Sequence, residues 1–227
     1  MDALKRIKYW KMLQGEHYDE NVFMGMINSF FNNEWKEYLE QTNKYYFACG
    51  HDAGKKRYKD WCCSDIRDVG GIFKWDNLLG HPFTNGQLEV VKSKLALGMF
   101  TYNQAKFIIR ETARVLKIGG IFDLTYRDYD LLHLRRKELD HKMFNRYMNG
   151  NGLYFGSQRK SIWYKKGVIA LCNEFHLHMT DCRECGMNIT FHLKRVEGKL
   201  KNFSPEPKVK FDKKGVMVND GGDFPGA

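Results

Sequence analysis

Residues 102–126 read YNQAKFIIRETARVLKIGGIFDLTY, and this stretch decides the fold class. Ala105, Phe107, Ile108, Ile109, Thr112, Ala113 and Leu116 recur at helical spacing, which predicts a helix over residues 102–116. Gly119-Gly120 stops that helix, and residues 121–126 read as a strand. Upstream, short apolar runs at 44–49, 61–64, 72–75 and 88–93 read as four earlier strands. Downstream, a helical span covers about 128–148, Asn149-Gly150-Asn151-Gly152 breaks it, and 162–172 is helical again. Residues 175–180 and 188–196 form a closing pair of strands. Alternating strand–helix units ending in two strands predict an α/β sheet with an antiparallel addition at its end.

The chain has 227 residues, 43% hydrophobic and 28% charged, enough for one domain with a substantial core. Residues 1–43 read as an N-terminal helical extension, with Tyr9, Met12, Phe23, Met26, Ile27, Phe30, Phe31 and Trp35 at helical spacing and a break near Gly15. Such a stretch packs as a helix pair or offers a surface to a protein partner. Residues 44–197 form the α/β domain, and residues 198–227 read as a loose tail. No run reaches the eighteen or so apolar residues of a membrane span, and the N-terminus lacks signal-peptide character, so a cytoplasmic protein is expected.

Charge is unevenly distributed. Residues 44–200 carry 27 Lys/Arg against 16 Asp/Glu, whereas residues 1–43 carry 5 against 7. A basic folded domain points to an anionic partner. Six cysteines are too sparse for a disulfide scaffold. Cys172, His176, His178, Cys182 and Cys185 are the one metal-like cluster, with His176 and His178 expected on one face of a strand. A single C-x-x-C is weak evidence for zinc, so no metal is expected.

Ligands of open α/β sheets bind beyond the C-terminal ends of the strands. Ala48-Cys49-Gly50-His51 follows the first strand, and its glycine permits close approach to the backbone. Asp65 ends the second, where a carboxylate suits two ribose hydroxyls, and Asp76 follows the third, where it can meet a base amino group. Each is also explained as a turn or a helix cap, but in this order they favour a nucleoside-containing cofactor.

In this arrangement residues 44–196 resemble the class I S-adenosylmethionine-dependent methyltransferases. The likeness is to a small branch with L-N-L-G-C-G and G-W-x-N-x-D motifs. The corresponding stretches are Tyr46-Phe47-Ala48-Cys49-Gly50 and Asp60-Trp61-Cys62-Cys63-Ser64-Asp65. A D-L-x-x-P-L-P-F-x-D-N-S-F-D block aligns without gaps on residues 76–89, and V-L-K-P-G-G on Val115-Leu116-Lys117-Ile118-Gly119-Gly120. Gln158 to Trp163 resembles the segment before the family's last helix. Two departures stand out: Ala48 replaces a glycine, and Leu95-Ala96-Leu97-Gly98-Met99 replaces H-V-L-E-H after strand 4.

The resemblance implies a Rossmann-like, seven-stranded sheet in the order 3-2-1-4-5-7-6, strand 7 antiparallel, with helices on both faces. It implies S-adenosyl-L-methionine as cofactor, bound by Ala48, Cys49, Gly50, Asp65, Asp76 and Leu95. Gly50 would pass beneath the methionine portion, Asp65 would hold the ribose and Asp76 would contact the adenine. The same likeness puts Cys182 and Cys185 in the hairpin between strands 6 and 7. At the end of strand 5, Asp128 is the candidate base or acceptor anchor and Tyr126 a pocket residue; helix capping by Asp128 is the competing reading.

Residues 127–166 contain ten Lys/Arg and four Asp/Glu, so Arg127, Arg135 and Arg159 are the candidate acceptor-binding residues. A basic lid suits an anionic acceptor, with O-methylation of a small molecule, sugar or glycan the leading reading. A nucleic acid is less favoured: no binding motif appears, and aromatics do not interleave with the basic run. The alternatives are a catalytically degenerate methyltransferase-fold binding protein and a nucleic-acid methyltransferase.

Overall fold

The computed structural model describes residues 33–52, 55–66, 72–149, 159–200, 210–211 and 217–218. Helix α1 (Asn33–Gln41) leads into β1 (Lys44–Phe47), and β2 (Cys62–Asp65), β3 (Phe73–Lys74) and β4 (Leu88–Lys94) follow. Then come α2 (Tyr102–Val115), β5 (Leu116–Arg127), α3 (Tyr129–Leu134), α4 (His141–Asn149), α5 (Lys165–Glu174), β6 (Leu177–Cys185) and β7 (Asn188–Arg195). The expected helical extension and tail fall largely outside the described residues. Within the tail, Lys210–Phe211 pairs with Met217–Val218.

The main sheet runs β3-β2-β1-β4-β5-β7-β6, as predicted. Strands β1 to β5 pair in parallel and β7 runs antiparallel to both neighbours. β1 therefore lies between β2 and β4, at the point where the chain reverses its direction across the sheet.

Alternation decides which face each strand buries. In β1, Tyr45 and Phe47 join the larger core, together with Val168 and Leu171 of α5 and Ile108 of α2. Tyr46 points the other way, into a smaller cluster with Cys49, Tyr58 and Cys63. α2 begins with a reciprocal capping box: Thr101 accepts from the Gln104 amide, and the Gln104 side chain accepts from the Thr101 amide.

Four local expectations are corrected. Gly119-Gly120 does not separate helix from strand: α2 ends at Val115 and β5 begins at Leu116, with the glycines inside an irregularity where the ladder jumps from Leu88↔Leu116 to Val90↔Ile121. A Cβ on Gly120 would stand 3.0 Å from the Glu89 and Lys117 carbonyl oxygens, so backbone crowding requires glycine there. The helix expected over 128–148 is split into α3, a short 3-10 turn at Arg136–Glu138, and α4. Cys182 and Cys185 lie within β6, whose hairpin turns at Gly186 and Met187. His176 precedes that strand at φ 59°, so it does not share a strand face with His178. Among the described residues no group of three or more His, Cys, Asp or Glu is placed to hold a metal. No described helix is long and apolar enough to cross a membrane.

A buried polar network sits under the middle of the sheet. The Tyr45 hydroxyl donates to Asn77 Oδ1 at 2.7 Å and lies 2.6 Å from Ser64 Oγ. The His81 ring nitrogens lie 3.1 Å from Asn77 Oδ1 and 3.0 Å from Thr112 Oγ1. Burial pushes His81 down to about 3, so it folds neutral. Below its ordinary value of 6.5 only the unfolded chain binds that proton, so stability present at neutral pH is lost as pH falls towards 3. The expected loss from this one group is about 2 kcal/mol between pH 7 and pH 5. Urea unfolding at both pH values will check this. His81→Gln should be less stable at pH 7, and its pH dependence should be shallower than wild type by about one proton.

Candidate functional site

The C-terminal ends of β2, β1, β4 and β5 lie side by side, because the register pairs Phe47 with both Ser64 and Ser93, and Lys94 with Thr125. Immediately beyond them the backbone turns left-handed at Ala48 (φ 51°), Gly50 (φ 52°) and Leu95 (φ 60°). Ala and Leu pay for that conformation with roughly 1–2 kcal/mol each, so surrounding contacts must hold it.

Those contacts are visible. The Cys49 amide donates to the Ser64 carbonyl at 3.1 Å, continuing the β1–β2 ladder past the strand. The Gly50 amide donates to Asp65 Oδ2 at 2.9 Å, in a buried, charge-assisted bond. The Leu95 amide donates to the Thr125 carbonyl at 2.7 Å. Asp52 ties the same turn to β4: it accepts from the Tyr46 hydroxyl at 3.0 Å, pairs with Lys55, and meets Lys94 Nζ at 3.4 Å. Burial opposes its charge, yet Lys55, Tyr46 and Lys94 together hold its carboxyl down at about 2. The free Cys49 thiol shares a hydrogen bond with Cys63, which raises Cys49 and, despite opposing burial, lowers Cys63.

Asp76 is buried at the end of β3 and caps the turn Asn77–Leu79, accepting from the Leu78 amide at 2.9 Å. Gly80 closes that turn at φ 86°, where a Cβ would meet Glu111 Oε2 at 2.8 Å.

At the end of β5, Asp128 is 1% exposed and caps α3, accepting from the Leu131 amide at 3.1 Å. The Tyr126 hydroxyl donates to its other oxygen at 3.4 Å, while the Tyr126 ring packs in the main core against Phe191. Burial and then the Asp128 charge push Tyr126 well above its ordinary value, so it remains a protonated donor. Beside this pair, residues 159–163 fold back over β4: the Lys160 amide donates to the Gly98 carbonyl at 2.8 Å, and Tyr129 donates its amide to the Trp163 carbonyl at 3.1 Å.

Of the three candidate arginines, Arg127 and Arg159 both lie against the end of α4, Arg127 over the Tyr147 ring at 4.2 Å and Arg159 with its amide donating to the Asn149 carbonyl at 3.2 Å, whereas Arg135 is half exposed and pairs with Glu138 at 3.6 Å. Asp52, Lys94 and Gly98 were missed by motif reading. Asp52 two residues after Gly50 and Lys94 at a strand end were the available signals, but their pairing is a long-range fact.

No protein-family model matches the chain, and no curated protein matches it in sequence. Solved structures do. An S-adenosylmethionine-dependent methyltransferase of Archaeoglobus fulgidus superposes with a TM-score of 0.51 at 8% identity, over 83% of this chain and 98% of that one. A protein of Pyrococcus horikoshii does so with a TM-score of 0.51 at 15% identity, over 86% and 99%. The chain has the methyltransferase fold. Its strand order and antiparallel β7 carry that conclusion, since identity this low speaks to architecture alone.

The methyltransferase fold makes one strained position testable at once. Ala48→Gly removes a Cβ from a left-handed residue, at the cost of a more flexible unfolded chain. We expect a variant as stable as wild type or up to about 1 kcal/mol more so, as read by thermal and urea unfolding.

Proposed function

We propose that the chain is an S-adenosylmethionine-dependent methyltransferase, a divergent member of class I, that O-methylates an anionic small molecule, sugar or glycan. The observation that carries this reading is the Asp65 carboxylate holding the Gly50 amide at the β1–β4 switch point. An acid at the end of β2, a left-handed turn after β1 and a second after β4 fit a nucleoside cofactor with a short charged tail. In this reading Gly50 and Leu95 border the methionine portion, Asp65 takes the ribose hydroxyls, and Ala48, Cys49 and Asp76 complete the wall. S-adenosylmethionine, when bound, supplies a methyl group already activated on a sulfonium.

The protein's task is then alignment and exclusion of water. Asp128 lies beyond β5, next to the β4 end, where an acceptor hydroxyl would approach. Tyr126, protonated beneath it, fixes the carboxylate's direction; Asp128 in turn takes the hydroxyl proton. The acceptor's negative charge meets the basic stretch 127–166. A second reading, a binding protein without turnover, is favoured by one observation: both Asp128 oxygens already accept bonds within the protein.

Two measurements test these readings. Calorimetric titration should show S-adenosylmethionine and S-adenosylhomocysteine binding to wild type, with binding to Asp65→Ala weaker by about tenfold or more. No binding at millimolar ligand would overturn the methyltransferase reading. Asp128→Asn separates capping from chemistry, because asparagine caps as well as aspartate but is no base. We expect near wild-type stability, unchanged cofactor binding, and methyl transfer to a hydroxyl acceptor reduced about 10²–10⁴-fold. Undiminished transfer would remove Asp128 as base.

A further inference from the structure

Arg127 and Arg159 are cations at the acceptor end of the sheet, and no acid in the described structure neutralises them. Arg127 is the last residue of β5; its guanidinium lies 4.2 Å over the Tyr147 ring of α4, and its Nε donates to Asn188 Oδ1 at 3.4 Å. Arg159 lies against the turn after β4, its Nη1 2.8 Å from where a Cβ of Gly98 would stand. Its Nε is buried and has no hydrogen-bond partner among the described residues. The guanidinium thus packs directly on the Gly98 backbone.

Among the described residues, neither arginine has a carboxylate within ion-pair distance. The nearest acid in sequence, Asp128, is committed to the α3 cap and to Tyr126. Residues 150–158, which precede Arg159, contain no Asp or Glu at all. Burial, and then repulsion from Arg159, lowers Arg127 to about 10, and burial lowers Arg159 as well. Two partly desolvated guanidinium groups, both from residues set against the end of α4 and one with an unused buried donor, form a receptor for an oxyanion.

We propose that Arg127 and Arg159 together bind an oxyanion of the acceptor, a phosphate or a carboxylate, at the joined ends of β4 and β5. This rests on the methyltransferase reading above and names the group by which its acceptor is recognised. The Tyr147 ring backs the Arg127 guanidinium at 4.2 Å. Anchored there, the acceptor's hydroxyl is kept one residue from Arg127, at Asp128.

The test is titration of the full chain with inorganic phosphate and with acetate, each with and without saturating S-adenosylhomocysteine. Phosphate or acetate should bind wild type equally well in both states, and whichever binds more tightly identifies the acceptor's anionic group. Arg159→Met and Arg127→Gln should each weaken binding about tenfold or more, with unfolding curves showing that the variants are folded. Arg159→Lys keeps the charge but loses the fork, and should recover only part of the affinity. Absence of phosphate and acetate binding, or variants that bind like wild type, overturns the inference. Competition by S-adenosylhomocysteine overturns it too, because the pair would then serve the cofactor's own carboxylate. The two proposals fail separately: S-adenosylhomocysteine binding without oxyanion binding defeats this one alone, and the converse defeats the methyltransferase reading.

Discussion

The bond from the Gly50 amide to Asp65 Oδ2, at 2.9 Å, is the constraint on which the strand-end rim depends. β1 is the central strand of the parallel region, and the chain must leave it through a left-handed turn to reach β2 on one side. A buried carboxylate accepting a backbone amide contributes about 1.5–3 kcal/mol, enough to offset the strain at Ala48 and hold Gly50 in one place. Asp52 extends the same rigidity to the other side through Lys94 on β4. Three strand ends are thereby fixed relative to one another without a long helix between β1 and β2.

Support from below is equally specific. The turn after β3 is held from two directions, by the Tyr45–Asn77–His81–Thr112 network and by Arg114 of α2. The Arg114 guanidinium donates to the His81 carbonyl at 2.9 Å, the Phe83 carbonyl at 2.8 Å and Asn85 Oδ1 at 3.0 Å. Burial opposes ionisation of Glu111, but Arg114 donates to its carboxylate and lowers it. One charged pair on one helix face thus satisfies a run of loop carbonyls that would otherwise be buried without partners.

Beyond β5, one residue carries an observed capping role and a proposed chemical one. Asp128 starts α3 and orders the chain after β5, and in the proposed reaction the same carboxylate takes the acceptor's proton. Both of its carboxylate oxygens are engaged, by the Leu131 amide and the Tyr126 hydroxyl, so the cap fixes the carboxylate's direction while competing for the oxygen a base would use. The arginines differ in kind. Arg135 is satisfied by Glu138 three residues away, as a helical surface allows, whereas Arg127 and Arg159 have no acidic partner among the described residues.

The sequence by itself determined the alternation of strands and helices and the strand-end positions of Gly50, Asp65, Asp76 and Asp128. These follow from periodicities of two and 3.6 residues and from cap chemistry, all of which act over a few neighbours. Local reading misjudged Gly119-Gly120, the split of residues 128–148 and the place of Cys182 and Cys185. In the first case crowding by Glu89 on the adjacent strand shapes the backbone, and no local pattern records it. Tertiary structure alone decided that Asp65 holds Gly50, that Asp52 reaches Lys94, and that Arg159 settles on Gly98. Each joins residues 15, 42 and 61 positions apart or at the ends of different strands, so only the pairing of the sheet brings them within bonding distance.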